Sequence, residues 1–239
     1  RYYAMLYANI ARTISFQQFQ PPHAQAIANA FQCPGVNTRH LESAWSSLLL
    51  HHPVFSVHCT PLQAFSPEKA RDLINVLKEK NELTSAFLLQ GLPRVLNRST
   101  FTEIIFPALR QAYLDTAVRG AILDKDDLSF LSALSVYCHH NEYVFDITPK
   151  EQESLDTIRS SYAKDTSRTD LLVLLCTYGP ITDVLSEKEA LELKNNPLFE
   201  TLITEQILDR KNELALMKTI PALTPIHDDI SRAVEQMYL

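Results

Sequence analysis

Glycine is scarce in this sequence. Its 239 residues include only four, Gly35, Gly91, Gly120 and Gly179, and no two lie near one another. A Rossmann-like cofactor site needs a glycine-rich turn, where backbone can approach the ligand and the next helix closely. A P-loop has the same need. Neither can be written with these positions. Asn-Gly and Asp-Gly, the pairs favoured in tight β-hairpins, are also missing. Cys33, Cys59, Cys138 and Cys176 are scattered, with no Cys-x-x-Cys pair. In a chain this large they read as reduced, mostly buried thiols of a cytoplasmic protein. Apolar runs such as Leu171 to Cys176 fall far short of the roughly 20 residues of a membrane helix, so no membrane partner is expected. Positive charge is in the minority, with 22 Lys and Arg against 28 Asp and Glu for a net charge of -6. That balance argues against nucleic acid as a partner. Arg94 and Arg98 sit close together, but two arginines do not make a phosphate-binding stripe.

Helix punctuation is abundant. Ser66-Pro67, Thr148-Pro149 and Asn196-Pro197 each place a capping side chain before a proline at the first helical position. Thr148 with Glu151, Ser186 with Glu189 and Thr100 with Glu103 have capping-box spacing. Gly91 and Gly120 stand where helices should stop as left-handed caps. Between these signals the apolar spacing is helical: Leu128, Leu131, Leu134 and Cys138 share a face, as do Leu73, Ile74 and Leu77. Leu202, Ile203, Ile207, Leu214 and Met217 suggest a longer helix running to Pro221. The spacing predicts an all-α bundle or array of about nine to eleven helices. Val54 to Cys59 and Val144 to Ile147 are the only extended candidates, enough for one short strand pair at most. A boundary is expected in the proline-punctuated stretch from Pro53 to Pro67. It separates an N-terminal subdomain, 1–65, with helices over 2–19, 22–31 and 38–50, from a second unit, 66–239. No internal period near 34 residues supports helical repeats within the segment.

One stretch carries a resemblance. Cys138-His139-His140-Asn141-Glu142-Tyr143-Val144-Phe145, running into Thr148-Pro149-Lys150-Glu151, resembles the Asn-Glu-Tyr-Val block of certain bacterial AdoMet-dependent methyltransferases. In that family the block lies in a helical region ahead of the catalytic domain, often beside tetratricopeptide-like repeats. Glu205-Gln206, Asn212-Glu213, Ile220-Pro221-Ala222-Leu223-Thr224 and Ile230 to Tyr238 resemble the same family's lead into its Glu-Asn-Pro-Tyr-Pro-Arg-Trp block. The similarity begins near Ser85, at Ala86-Phe87-Leu88-Leu89. It implies a non-catalytic accessory region that positions substrate or regulates a catalytic domain expected after Leu239. The chain opens on Arg1, which also reads as a segment of something longer. S-adenosylmethionine is then expected for the parent and no cofactor for this segment, which should be inactive alone. The implied partners are the downstream methyltransferase domain and a protein or peptide substrate. The alternative is a stand-alone α-helical adaptor that binds a peptide or partner helix.

Two readings of Asn141, Glu142 and Tyr143 stand side by side. In the structural one, Asn141 caps the preceding helix, Glu142 bonds backbone donors and Tyr143 buries its ring with its hydroxyl on a partner. In the functional one, Glu142 and Tyr143 touch substrate or the catalytic domain. A last helix over 229–239, with Ile230, Val234, Met237 and Tyr238 on one stripe, reads as the joint to the downstream domain. His51, His52, His58 and Cys59, and the run Cys138-His139-His140, lack the spacing of convergent metal ligands, so no metal site is expected. No Gly-x-Ser-x-Gly elbow supplies a nucleophile. Asp126-Asp127 and Asp228-Asp229 read as solvated helix starts. Tyr2, Tyr3, Tyr7, Phe16 and Phe19 give the first helix an aromatic surface, for core packing or for docking of an upstream helix.

Overall fold

A computed structural model describes residues 1–60, 62, 65–97, 99–219 and 233. The first six helices are α1 (Tyr2–Ala11), α2 (Pro21–Phe31), α3 (Glu42–Leu50), α4 (Pro53–His58), α5 (Pro67–Glu79) and α6 (Ala86–Gly91). They are followed by α7 (Thr100–Val118), α8 (Lys125–His140), α9 (Pro149–Lys164), α10 (Thr169–Leu175) and α11 (Glu187–Glu192). The last, α12, is continuous through Glu200–Ile203, a π-helical segment Thr204–Asp209, and Arg210–Met217. Short 3-10 turns occupy Thr38–His40, Leu92–Arg94 and Ile181–Asp183. No strand occurs among the described residues, and the fold is all-α, as the capping pattern predicts.

Local chemistry explains where the boundaries fall. The extended candidate Val54 to Cys59 is α4 instead. Pro53 holds the first helical position, and the His52 ring accepts a hydrogen bond from the Val54 N–H. Val144 to Ile147 is irregular, with Val144 70% exposed. The first helix stops at Ala11 rather than running to Phe19. The chain then folds back so that Phe16 is buried and its N–H donates to Ser47 Oγ at 2.9 Å. The start of α7 is capped by Ser99, one residue earlier than Thr100, with the Thr102 N–H on its hydroxyl.

The helices pack around one contiguous cluster of buried side chains from Ala8 to Ile207, which includes residues on both sides of position 65. The long helix α7 lies at its centre, against α5, α9 and α10, and α8 packs on α10. In the N-terminal part, α2 packs on α6, and the fully buried Trp45 donates its indole N–H to the Phe87 carbonyl in α6 at 2.9 Å. Gly91 is required by that indole and is not a left-handed cap. A Cβ there would stand 2.0 Å from Trp45 Nε1. Gly120, at φ +83°, is the left-handed residue that ends α7.

Candidate functional site

At the C-terminus of α8 the chain makes a turn that no glycine assists. The Asn141 side-chain amide donates to the Tyr137 carbonyl at 2.7 Å, while its Oδ1 accepts from the Asn97 N–H at 2.7 Å. One side chain thus ends the helix and fastens the loop after the 3-10 turn Leu92–Arg94. Glu142 and Tyr143 are both left-handed, at φ +53° and +54°. Their N–H groups return to the His139 and Cys138 carbonyls, each at 2.9 Å, satisfying acceptors that a helix end otherwise leaves open. The turn aims the Glu142 carboxylate into solvent and folds Tyr143 back against the core. The Tyr143 hydroxyl accepts a 2.8 Å hydrogen bond from Gln206 Nε2, and burial pushes the phenol far above its usual titration range. Asn141 thus closes the end of α8, and Tyr143 places its hydroxyl on α12. Glu142 bonds no backbone donor among the described residues.

The opposite wall is the π-helical segment of α12. A π turn holds more than an α turn, and Glu205 and Gln206 both reach the end of α8 from it. Glu205 Oε2 lies 2.7 Å from His140 Nε2, with both side chains about a third exposed. Gln206 bridges two elements, since its Oε1 also accepts from the Ile181 N–H at 3.0 Å. Neighbouring His139 is held below the usual imidazole range by burial first, with His140 adding to the effect and Glu205 opposing it.

Three neighbouring chambers, successive ones sharing lining residues, form a groove that starts at these walls and runs on toward α1 and α3. The first, about 320 Å³, lies between α6, α8 and α12 and is lined by Gln90, Ser132 and Thr201. It shares Pro93, Arg94 and Glu205 with a second of about 380 Å³, which reaches Arg39, Glu42 and His140. Arg39 and Glu42 in turn border a third of about 510 Å³, where Arg12 and Ser15, Ser43, Ser46, Ser47 and Ser99 converge. The Arg94 guanidinium donates to Gln90 through its carbonyl at 3.1 Å and its side-chain oxygen at 3.2 Å. Burial lowers its pKa, an effect Glu205 partly offsets. A row of guanidiniums with hydroxyls and two carboxylates can recognise charge and hydrogen-bonding groups. The buried thiols Cys138 and Cys176 offer no nucleophile at neutral pH, since burial pushes both up to about 12.

Other residues marked in the sequence fall elsewhere. His52 caps α4 and faces Glu82 at 3.5 Å. No group of three or more potential metal ligands converges among the described residues. Asp127 is not a solvated helix start. It is buried, accepting from Tyr113 Oη at 3.0 Å and from Lys78 Nζ at 3.0 Å. Tyr7 and Phe16 serve packing, whereas Tyr2 and Tyr3 are 73% and 82% exposed. Ile230, Val234, Met237 and Tyr238, with the expected last helix, lie outside the described residues. Nothing in the sequence groups Arg94, Arg39 and Arg12, because the elements that bring them together are far apart in the chain. No family model, curated protein or solved structure matches this sequence.

Proposed function

We propose that this chain is a non-catalytic helical region of an AdoMet-dependent methyltransferase, positioning a substrate or regulating a catalytic domain downstream of it. One observation supports the reading. The two stretches that resemble the same family, more than sixty residues apart, meet through their side chains: His140 pairs with Glu205, and Tyr143 with Gln206. The parent activity itself rests on the resemblance. Titration calorimetry separates the outcomes. Micromolar AdoMet binding by the parent protein, with none by residues 1–239, supports the proposal. Binding by 1–239 alone, or none by the parent, overturns it. The stripe Ile230, Val234, Met237 and Tyr238 is assigned as the joint between the halves. Val234→Asp with Met237→Asp should then lower methyl transfer while both halves stay folded by circular dichroism, and unchanged activity would reduce this stretch to a linker.

A second reading, an independent adaptor module, is favoured by α1. Tyr2, Tyr3, Leu6 and Ile10 form a broad apolar face that is 45% to 82% exposed. The gene sequence beyond Leu239 discriminates: a strand and glycine loop after a Pro-Tyr-Pro turn favours the methyltransferase, a stop codon the adaptor.

A further inference from the structure

We infer that the three-chambered groove is a binding site for an extended acidic polypeptide segment, recognised through Arg94, Arg39 and Arg12 in sequence along its length. The charge balance is the first reason. The protein carries a net charge of -6, yet three guanidiniums line this one depression. None of the three forms an ion pair with another described residue: Arg94 has only Gln90 on its donors, and Arg12 and Arg39 are exposed. Guanidiniums without an ion pair among the described residues, set along a wall of hydroxyls, match carboxylates, which accept bidentate hydrogen bonds from Arg.

The shape is the second reason, and it decides between ligand classes. A phosphate, a nucleotide or a small dicarboxylate is held by donors that converge on one point. Here successive chambers share a border residue rather than a centre: Arg94 joins the first to the second, and Arg39 the second to the third. Such a row fits a ligand that is itself a row, and side chains on an extended peptide repeat at about 7 Å on each face. A nucleic acid strand would present uniform negative charge to Glu205 and Glu42, which stand between the arginines on the same walls. A peptide can place a neutral or hydrogen-bonding residue at those points. The serine hydroxyls of the third chamber, some already donating to or capping backbone, suit the polar backbone of an extended chain. With no strand edge among the described residues, recognition rests on side chains and not on sheet extension.

The inference stands whether or not a methyltransferase domain lies downstream, so its failure and the failure of that proposal are read separately. The test uses residues 1–239 and fluorescein-labelled peptides of alternating Glu and Ser, Gln and Ser, or Lys and Ser. Anisotropy should show saturable binding of the acidic peptide only, weakened about tenfold when salt rises from about 50 to about 300 mM. Arg12→Glu with Arg39→Glu, both at exposed positions, should abolish it with an unchanged circular dichroism spectrum. The milder Arg39→Gln should weaken it several-fold, which keeps the test decisive if the double variant fails to fold. Glu205→Gln, which removes a carboxylate from the wall, should tighten it. Absence of saturable binding up to millimolar peptide, or equal binding of the Gln or Lys peptide, would overturn the proposal. So would indifference to the arginine changes. Displacement by inorganic phosphate or by an oligonucleotide at lower concentration than the peptide itself would assign the groove to that ligand class instead.

Discussion

Arg110 places a guanidinium in the centre of the fold, 1% exposed, with no ion pair to any described residue. Two aromatic rings and two carbonyls take the place of a carboxylate. The Tyr178 ring centroid lies 4.0 Å from the guanidinium carbon and that of Phe145 5.8 Å, while the Thr177 and Asp146 carbonyls each accept at 3.3 Å. The side chain therefore ties α7 to the loop after α8 and to the end of α10. Nothing in the sequence marks it, because an arginine in a helix that also carries Glu103, Gln111 and Asp115 looks like a surface residue until its neighbours arrive from 35 to 68 positions away. Arg110→Ala leaves two acceptors and a cavity, and should lower unfolding stability by about 3 kcal/mol. Arg110→Lys keeps the charge but not the planar stack, and should restore little of it. Urea unfolding reads both, and a loss under about 0.5 kcal/mol for the alanine variant would show the cation to be dispensable. Glu142 offers the opposite expectation. It is exposed and left-handed, a conformation that costs a side-chain-bearing residue free energy, so Glu142→Gly should stabilise the fold by about 0.5 to 1 kcal/mol. A loss of stability would mean the Glu142 side chain makes contacts that matter.

Elements were legible wherever their ends carry their own chemistry. Ser66, Thr148 and Ser186 cap as their spacing predicts, and the last two form complete capping boxes with Glu151 and Glu189. Thr148→Ala should cost about 1 kcal/mol. Glu151→Ala should cost more, because that carboxylate is buried and also accepts from the Tyr178 hydroxyl at 3.3 Å. The reverse order of the two variants in thermal melts would show that the tertiary bond is the weaker. One short element escaped: α4, at six residues, is too brief for a periodicity to declare itself. The π-helical segment escaped for another reason. Leu202, Ile203 and Ile207 are compatible with an ordinary helix, and only Glu205 and Gln206, bonding to α8 and to Ile181, reveal the wider turn. Gly91 looks in the sequence like a stop signal but answers to a long-range partner. Gly91→Ala should displace the Trp45 indole and destabilise by at least about 2 kcal/mol, with a shift in tryptophan emission as the accompanying sign.

At the scale of the whole molecule, composition and periodicity suffice for the fold class, since repeated caps and absent hairpin turns leave only helices. They cannot suffice for the groove, whose charged residues come from the end of α1, the turn before α3, the turn after α6, the end of α8 and α12, and converge only through packing. The same burial that builds the core fixes how stability responds to acid. His52 is 2% exposed and accepts the Val54 N–H on Nδ1 at 3.3 Å, so that nitrogen carries no proton, and burial lowers the ring's pKa despite Glu82 at 3.5 Å. His139 is lowered in the same direction. Unfolded, both titrate near about 6.5. The unfolded chain therefore takes up protons first as pH falls. The contribution of both histidines is complete above that value and is lost between it and their lower folded values. Asp124, its carboxyl lowered chiefly by the Lys78 hydrogen bond, and Asp170, lowered by Arg168 against the cost of its burial, act further down. Their contribution holds above the ordinary carboxylate range and is lost below it. Urea unfolding measured from pH 7.5 to 3 should thus show two falling stretches, one starting near about 6.5 and one near about 4. His52→Asn keeps a capping oxygen, and combined with His139→Gln it should flatten the upper stretch while leaving the lower one in place. An upper stretch of unchanged slope in that double variant would mean that these two rings are not the groups that make the fold sensitive to mild acid.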